Sequence, residues 1–267
     1  MMIKELNFIT RTNLLSGIAG VGFLLAFSMG SIAAPEKAEA ETGDEMKPNI
    51  GRMGDSIVVD PATFNFSDAE RKLWLNDHLN NVEKPARLYY EFVKSGSYEE
   101  GFSDAVYLDI LEINEDGTKN ALLEFFTADR KQEANRDNLN NITGNPIIGI
   151  YMQGDVVEMN RLTEGHWRYF QKRIKIAISE NAKIDPVSFD FEGEKVSGEK
   201  ITITPYEKDP RRKQFAQFAD KRYEFIFSKQ IPGSLYQIKT VIPDTTGTAK
   251  EALIEEVLTL KNVSFSG

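Results

Sequence analysis

The 267-residue chain contains no cysteine. Without a thiol it cannot form a disulfide, hold a metal through thiolates, carry a lipid on a cysteine or use a cysteine nucleophile. Its stability must therefore come from the packing of a core, and a hydrophobic content of 41% supplies material for a sizeable one. Lipoproteins, disulfide-stapled scaffolds, thiolate metal proteins and cysteine hydrolases are excluded as classes.

Histidine and the common catalytic motifs are almost as scarce. His78 and His166 are the only histidines, whereas a hydrolytic triad or a catalytic zinc site needs a histidine that a third group positions. Asp77 cannot orient His78 within a helix, because adjacent helical residues point to different faces. The chain also lacks the Gly-x-Ser-x-Gly, Gly-x-Gly-x-x-Gly and Walker patterns. We therefore predict no catalytic residue, no metal site and no cofactor, and packing or a solvated helix face for both histidines.

Positive charge is in the minority, with 32 lysines and arginines against 41 aspartates and glutamates and a formal net charge of −9. Nucleic-acid binding depends on the neutralisation of phosphates by clustered basic residues, so nucleic acid is excluded as a partner. An acidic chain also has no reason to adsorb to an anionic membrane surface.

The N-terminus carries a long apolar run that is typical of an export signal. Lys4 and Arg11 precede an apolar segment from Leu14 to Phe27, and the small-x-small pattern that signal peptidase accepts ends at Ala33. The segment is shorter than the roughly 20 residues of a membrane-spanning helix. Removal is therefore favoured over the alternative, which is retention as a signal anchor.

The signal predicts both the compartment and the organisation of the chain. We expect residues 1–33 to be a signal peptide, cleaved after Ala33 or after Ala40, and the acidic residues 34–62 to be a flexible linker. Residues 63–267 then form a single globular α+β domain. A cysteine-free chain without an arginine pair in its signal points to the periplasm of a Gram-negative bacterium, with no stable membrane insertion after signal removal.

The first half of the globular region predicts a helix and three strands. Ser67 and Glu70 match the capping-box pattern for a helix from Asp68 to about Asn80. A helix of that length would place Trp74 and His78 on one side. Strands separated by turn signals follow at Ala86–Lys94, Phe102–Ile113 and Lys119–Thr127.

The second half predicts a loop, two helices and five strands. The asparagine-rich residues 128–145 predict a mobile or functional surface loop. Apolar residues then recur at three- and four-residue spacing from Pro146 to about Leu162 and from Glu164 to about Asn181, which predicts a helical pair. Five alternating segments follow, beginning at Val187, Ile201, Tyr223, Tyr236 and Ile254.

Together these elements predict an α+β fold. Tight turns between consecutive strands indicate a curved, mainly antiparallel sheet of about eight strands, arranged as a meander or a half-barrel. The sheet is expected to pack on the helical pair, which is inserted after the third strand, and on the N-terminal helix.

Several predicted strands are apolar on both sides. Leu88, Tyr90 and Phe92 alternate with Tyr89 and Val93, whereas a meander with one wet face alternates apolar and polar residues. Both faces of the sheet must therefore be covered, either by the helices or by an enclosed ligand. A plain packed core without a cavity is the alternative.

This pattern favours a non-catalytic binding or carrier protein for an apolar ligand, such as a lipid or an acyl chain. By architecture, the chain is similar to the periplasmic half-barrels with helical lids that carry lipoproteins or lipids. Arg168 or Arg173 would contact an anionic group of the ligand, and a solvated helix face is the alternative for both. The expected lining residues lie on the helical pair: Ile148, Met152, Trp167, Phe170 and Ile174.

Two other functions remain open. An accessory domain without a small-molecule ligand would bind another envelope protein through the loop Asp129–Gly144 or an exposed sheet edge. A hydrolase would show a cleft in which His78 or His166 lies within hydrogen-bond reach of an acid and a hydroxyl. A cavity of several hundred Å³ would favour the carrier, and a tight interior would favour the accessory domain.

Overall fold

The computed structural model describes residues 65–127, 130, 136–245, 247 and 251–265, so the predicted signal peptide and linker lie outside the described residues. A curved, open sheet of nine antiparallel strands runs through this part in the order β4-β3-β2-β1-β9-β8-β7-β6-β5. The predicted α+β class and the mainly antiparallel sheet are confirmed. The strands are β1 Ala86–Ser95, β2 Phe102–Ile113, β3 Lys119–Phe125, β4 Arg136–Ile142, β5 Lys183–Phe191, β6 Glu194–Ile203, β7 Arg222–Phe227, β8 Leu235–Ile242 and β9 Ile254–Phe265.

The strand order explains why helices cross the sheet. Strands β1 to β4 form one meander and β5 to β9 form another, and the two meet where β1 pairs with β9. As a result, β4 and β5 lie at opposite edges of the sheet. The chain between them has to cross one face of the sheet, and the helical pair supplies that crossing.

One face of the sheet is buried and the other is partly exposed. In β1, Tyr90 and Phe92 are buried, whereas Tyr89 and Val93 are partly exposed, and β2, β3 and β9 alternate in the same way. The expectation that both faces are covered is therefore wrong. The ring of Tyr89 instead lies 5.4 Å from that of Tyr107 on the neighbouring strand, so outward-facing aromatic side chains shield one another on a solvent-facing surface.

The helices are short except for the pair that crosses the sheet. The longest helix among the described residues, α2, begins where the side chain of Asn145 accepts a hydrogen bond from the amide of Ile147 and Pro146 occupies the first turn. It ends at Glu164, whose φ of 56° lies in the left-handed region. The helical bounds are α1 Asp68–Glu70 with a π-helical continuation Arg71–Leu75, α2 Pro146–Thr163, α3 Trp167–Ile176 with a π-helical continuation Ala177–Asn181, and α4 Arg212–Phe215 with a 3₁₀ turn Ala216–Phe218.

The N-terminal helix begins as predicted but ends early. Ser67 and Glu70 form the capping box, with hydrogen bonds in both directions. The backbone then becomes extended at Asn76, with φ −69° and ψ 143°, so the helix stops at Leu75 instead of continuing to Asn80.

A local turn accounts for the early stop. The side chain of Asp77 accepts a hydrogen bond from the amide of Leu79 at 3.1 Å, which competes with helical hydrogen bonding. His78 therefore lies outside the helix, and the expected common helix face of Trp74 and His78 is wrong.

A ninth strand lies within the predicted loop. β4 pairs with β3 from Glu124 to Lys119, although its asparagine-rich sequence has a low intrinsic strand propensity. Pairing with the free edge of β3 accounts for the strand. The loop expectation over 128–145 is wrong for this segment, and the sheet has nine strands where about eight are predicted.

The buried face of the sheet and the helices enclose one hydrophobic cluster. On the α3 side, the segment between β6 and β7 completes it. The ring of Phe170 in α3 lies 5.6 Å from that of Tyr206 and 5.3 Å from that of Phe215. Thus α2 packs mainly over the strands, whereas α3 also packs on the β6–β7 connection.

Candidate functional site

Helix α2 presents two stripes of different chemistry, one apolar and buried and one polar and buried except for the partly exposed Glu158. The polar stripe consists of Tyr151, Asp155 and Glu158. Each of them contacts a polar side chain of the sheet, and Asp155 also contacts Lys221, which directly precedes β7. We refer to these contacts as the polar seam. The apolar stripe consists of Ile148, Met152, Val156 and Met159, all fully buried.

Asp155 lies at the centre of the polar seam. Its side chain is 1% exposed and pairs through Oδ1 with the ammonium of Lys221, whose side chain is 2% exposed. Its Oδ2 accepts a hydrogen bond of 2.6 Å from the hydroxyl of Tyr223. The hydroxyl of Tyr223 uses its hydrogen in the bond to Asp155. Tyr206 is therefore the donor in the contact of 3.3 Å between the hydroxyls of Tyr206 and Tyr223.

The tyrosines of this cluster remain protonated. Burial raises the pKa of Tyr223 well above its ordinary value, and the charge of Asp155 raises it further. Burial and the same charge raise the pKa of Tyr206 well above its ordinary value. The cluster therefore consists of one carboxylate, one ammonium and two neutral hydroxyl donors.

One helical turn before Asp155, the seam continues through hydroxyl groups. The hydroxyl of Tyr151 lies 3.2 Å from Oγ1 of Thr240 in β8, and Thr240 donates in turn to Glu256 of β9 at 3.3 Å. Tyr151 is therefore the donor in its hydrogen bond with Thr240. Burial raises the pKa of Tyr151 well above its ordinary value, and the negative charges of Glu256 and Asp155 act in the same direction.

One helical turn after Asp155, the seam ends in an ion-pair network. Lys94 of β1 contacts Glu99 at 2.7 Å, Glu158 at 2.8 Å and Glu256 at 3.2 Å. Arg161 closes the network through Glu99 and Glu158. Burial alone would raise the pKa of Glu158, but hydrogen bonds from Arg161 and Lys94 outweigh it and lower the pKa to about 2.

Both histidines form hydrogen bonds with backbone groups. Nε2 of the buried His78 lies 2.7 Å from the carbonyl oxygen of Lys72, and its Nδ1 accepts from the amide of Asn145 at 3.1 Å. His166 caps α3 by accepting from the amide of Arg168 at 3.2 Å. Within the described ranges, no group of three or more His, Asp or Glu side chains is placed to hold a metal ion.

Four of the five predicted lining residues lie in the core. Trp167, the exception, is 38% exposed at the start of α3. The core positions are packed against protein atoms, so their contact with a ligand stays a prediction. The four buried residues are Ile148, Met152, Phe170 and Ile174.

The two predicted anion-binding arginines have different surroundings. Nε of Arg173 lies 2.6 Å from Oδ2 of Asp209, whose side chain is fully buried. The other oxygen of this carboxylate, Oδ1, accepts a hydrogen bond of 2.7 Å from the hydroxyl of Tyr169. The guanidinium of the exposed Arg168 lies 5.1 Å from the ring of Trp167. Of the two, Arg173 already has a carboxylate partner within the chain, and a ligand contact for either arginine stays a prediction.

Two depressions in the described part of the chain are open surface grooves. One has a volume of about 350 Å³ and is lined by the ends of β1, β2 and β9, with Leu111 and Phe265 among its residues. The other, of about 440 Å³, lies between α1 and the hairpin β5–β6. Neither groove is lined by residues of α2 or α3, so neither is the cavity that the carrier hypothesis places beneath the helical pair. Among the residues that the structure describes, no helix has the length and apolarity to cross a membrane.

Sequence reasoning missed the Asp155 cluster. The one available signal is that Asp155 interrupts an otherwise apolar helical pattern, four residues after Tyr151 and one before Val156. A charged residue at such a position is almost never fully buried unless it is paired. Its partner Lys221 is 66 positions away, and no local pattern marks that lysine.

No family model matches this chain, and no curated protein matches it. Among solved structures, it is similar to the lipoprotein LppX of Mycobacterium tuberculosis, with 11% identity over 68% of this chain and 88% of that one and a TM-score of 0.27. It is similar to a LolA superfamily protein of Nitrosomonas europaea, with 9% identity over 74% and 94% and a TM-score of 0.21. LprF of Mycobacterium bovis gives 9% identity over 76% and 98% and a TM-score of 0.27. These TM-scores are too low to assign a function.

Proposed function

We propose that this chain is an exported, non-catalytic carrier of an apolar ligand, such as a lipid or an acyl chain, in the periplasm of a Gram-negative bacterium. The ligand binds on the buried face of the sheet, and the helical pair α2–α3 is the cover over that face. In the closed form, side chains of the cover occupy the place of the ligand. In the open form, the cover moves away from the sheet and the ligand takes its place.

The polar seam is the observation that carries this proposal. Taking a charged pair out of water costs about as much as the pair recovers, and its replacement by apolar residues is often neutral or stabilising. A helix that only closes the core would present apolar side chains to the sheet, as α2 does along its other stripe. Hydrogen bonds and ion pairs instead fix the closed position of α2 without holding it as firmly as apolar contact over the same area.

The buried face of the sheet, which we call the wall beneath the cover, suits an apolar ligand. Phe92, Phe225, Ile238 and Leu258 are buried residues from four different strands, β1, β7, β8 and β9. Displacing α2 would expose such side chains to water unless a ligand covers them. Each methylene group buried contributes about 0.8 kcal/mol, so a long acyl chain would supply a large driving force.

The absence of cysteine allows a direct test with an engineered pair. Lys94 and Glu158 contact each other across the polar seam, so Lys94→Cys and Glu158→Cys can be joined by a short, reducible bifunctional thiol reagent. The joined protein holds α2 on β1. We expect it to bind the neutral apolar dye Nile red at least about tenfold more weakly than the same double variant without the reagent.

Reduction of the cross-link provides the control, because it should restore dye binding in the same molecule. Lys94→Cys alone, treated with the reagent, controls for the chemical modification. Equal binding with and without the cross-link would contradict a displaceable cover. Solvent extraction of the protein purified from the periplasm, followed by mass spectrometry, then identifies any apolar molecule that it carries.

A second function, an accessory domain that binds another envelope protein, is favoured by the tight packing of the core residues of α2 and α3 and by the groove at the ends of β1, β2 and β9. Leu111 and Phe265 there are 55% and 45% exposed, beside the ion pair of Arg87 and Asp109. Exposed apolar residues rimmed by charges are typical of protein contacts. If the chain has this function, the wild type should capture a partner protein from an envelope extract and Leu111→Glu should not. Neither the wild type nor Leu111→Glu should then bind Nile red.

A further inference from the structure

We infer that the carboxylate of Asp155 occupies the binding site for the carboxylate of the ligand, and that the ligand is a long-chain carboxylic acid. The site consists of the ammonium of Lys221 and the hydroxyls of Tyr223 and Tyr206. This inference rests on the proposed carrier function and names its ligand class.

The Asp155 cluster binds both oxygens of a carboxylate. Oδ1 of Asp155 faces the ammonium of Lys221, and Oδ2 accepts from Tyr223 at 2.6 Å. Tyr206 supports Tyr223 by donating to its hydroxyl. Hydrogen bonds with one charged partner are stronger than neutral ones, so the arrangement is selective for an anion.

The donors and the acceptor belong to different parts of the molecule. Tyr223 lies in β7 and Lys221 directly precedes that strand, while Tyr206 follows β6. Asp155, in contrast, lies in α2, which is part of the cover. Displacement of the cover therefore removes the acceptor of Lys221 and Tyr223, and it leaves these two donors in place, with Tyr206 still donating to Tyr223.

Exposing the wall to a neutral ligand would leave an unpaired cation. Lys221 is 2% exposed in the closed form, and a buried ammonium without a partner is strongly unfavourable. A ligand with its own carboxylate restores the ion pair, whereas an alcohol with the same chain does not. The cluster thus selects for the head group, and the apolar wall binds the chain.

The number of charges favours a carboxylate over a phosphate. Within the described residues, Lys221 is the only cation that pairs with Asp155. A phosphate monoester would bring nearly two negative charges and three acceptor oxygens. The ammonium of Lys221 and the hydroxyl of Tyr223 match the single charge and the two oxygens of a carboxylate.

Palmitic acid and hexadecanol, which share a sixteen-carbon chain, provide the test through displacement of Nile red. We expect the wild-type protein to bind palmitate at least about tenfold more tightly than hexadecanol, because only palmitate forms the charged hydrogen bonds. In Asp155→Asn the competing carboxylate is absent. Palmitate should therefore bind more tightly than in the wild type, and it should raise the melting temperature of this variant more than that of the wild type.

The double variant Asp155→Asn/Lys221→Met removes both charges and avoids a lone buried ion. It should lose the preference for palmitate and bind hexadecanol more tightly than the wild type does, because no unpaired ammonium is left beside the alcohol. Glu158→Gln is the matched control, because it removes an ion pair of the same helix outside the Asp155 cluster and should keep the preference. If palmitate and hexadecanol bind equally to the wild type, or if the double variant keeps the preference, the inference is overturned while the carrier function stands. If neither compound binds to any variant, the carrier function itself fails.

Discussion

His78 is held as a neutral ring between two backbone groups. Its Nδ1 accepts from the amide of Asn145, so its Nε2 carries the proton and donates to the carbonyl oxygen of Lys72. The ring also stacks on that of Phe227, with 5.4 Å between the centroids. Burial lowers the pKa of His78 below its ordinary value of 6.5, although the carbonyl of Lys72 and the charge of Asp77 act in the opposite direction.

This lowered pKa predicts a loss of stability in mild acid. As the pH falls below about 6.5, the unfolded chain takes up a proton that the folded chain does not, so the free energy of unfolding decreases. His78→Gln cannot titrate and should show a smaller decrease between pH 7 and pH 5 in urea unfolding experiments. His166→Gln, at an exposed histidine, is the matched control for the loss of one histidine. Equal slopes for His78→Gln and the wild type would contradict the prediction.

Glu158 predicts a second loss of stability at lower pH. Its pKa is lowered from 4.5 to about 2 in the folded state. Its contribution is therefore fully present above about pH 4.5 and is lost as the pH falls towards 2. Glu158→Gln should reduce the free energy of unfolding at pH 7 by roughly 1.5–3 kcal/mol, the range for hydrogen bonds with a charged partner. Its thermal stability should also fall less steeply than that of the wild type between pH 5 and pH 3, and a parallel decline would refute this role of Glu158.

The residues of the polar seam show where prediction from sequence ends. The apolar stripe of α2 is evident from its spacing, and four of the five proposed lining positions are buried as that spacing implies. The pairing of Asp155 with Lys221 is not evident, because a buried ion pair needs only two complementary charges and no local motif. Arg173 illustrates the same limit, since its partner Asp209 comes from the β6–β7 connection.

Among the secondary-structure elements, two glycines of the helical pair have opposite expected responses to substitution. Gly165 lies between α2 and α3, and a Cβ there would come within 2.6 Å of the ring of Phe170. Gly165→Ala should therefore destabilise the protein by about 1–3 kcal/mol through overpacking. Gly154 is exposed within α2, and a Cβ there meets no atom within 4 Å. Gly154→Ala should stabilise the protein by up to about 1 kcal/mol through helix propensity.

Thermal unfolding of these two variants and the wild type measures the difference, with Gly154→Ala as the matched control for a glycine-to-alanine change in the same helical pair. A stabilising effect of Gly165→Ala would show that Phe170 can move away from the turn. In that case the corner between α2 and α3 would not position α3 on the β6–β7 connection.

The elements with strong periodicity were predictable, and those set by neighbours were not. The bounds of β2, Phe102–Ile113, follow from its alternation, and α2 begins at Pro146 as expected. β4 was missed because its residues have a low strand propensity and depend on the edge of β3. The length of α1 was overestimated because the turn at Asp77 is a side-chain effect that helical periodicity does not show.

At the scale of the whole molecule, the sheet and the cover are held in different ways. Backbone hydrogen bonds join the strands of the sheet, whereas side-chain contacts join the cover to the sheet. β1 pairs with β2 on one side and with β9 on the other, so both of its hydrogen-bonding edges are used. Helix α2 contacts the sheet through side chains alone, and several of these contacts are the ion pairs and hydroxyl bonds of the polar seam. Opening of the cover therefore requires no break in the sheet.

This difference predicts unequal hydrogen exchange in the ligand-free protein. Amides of α2 and α3 should exchange faster than those of β1, β8 and β9, because local opening of the cover needs less free energy than unfolding of the sheet. Palmitate should slow exchange in the central strands, because those amides open only on global unfolding and a bound ligand raises the free energy of unfolding. The helices should still exchange faster than the strands, since the cover lies away from the sheet in the bound form. Exchange followed by mass spectrometry can resolve the peptides of the cover and of the sheet. Equal protection in both would mean that helices and sheet open together, in which case the polar seam would close a static core and the cover would not admit a ligand.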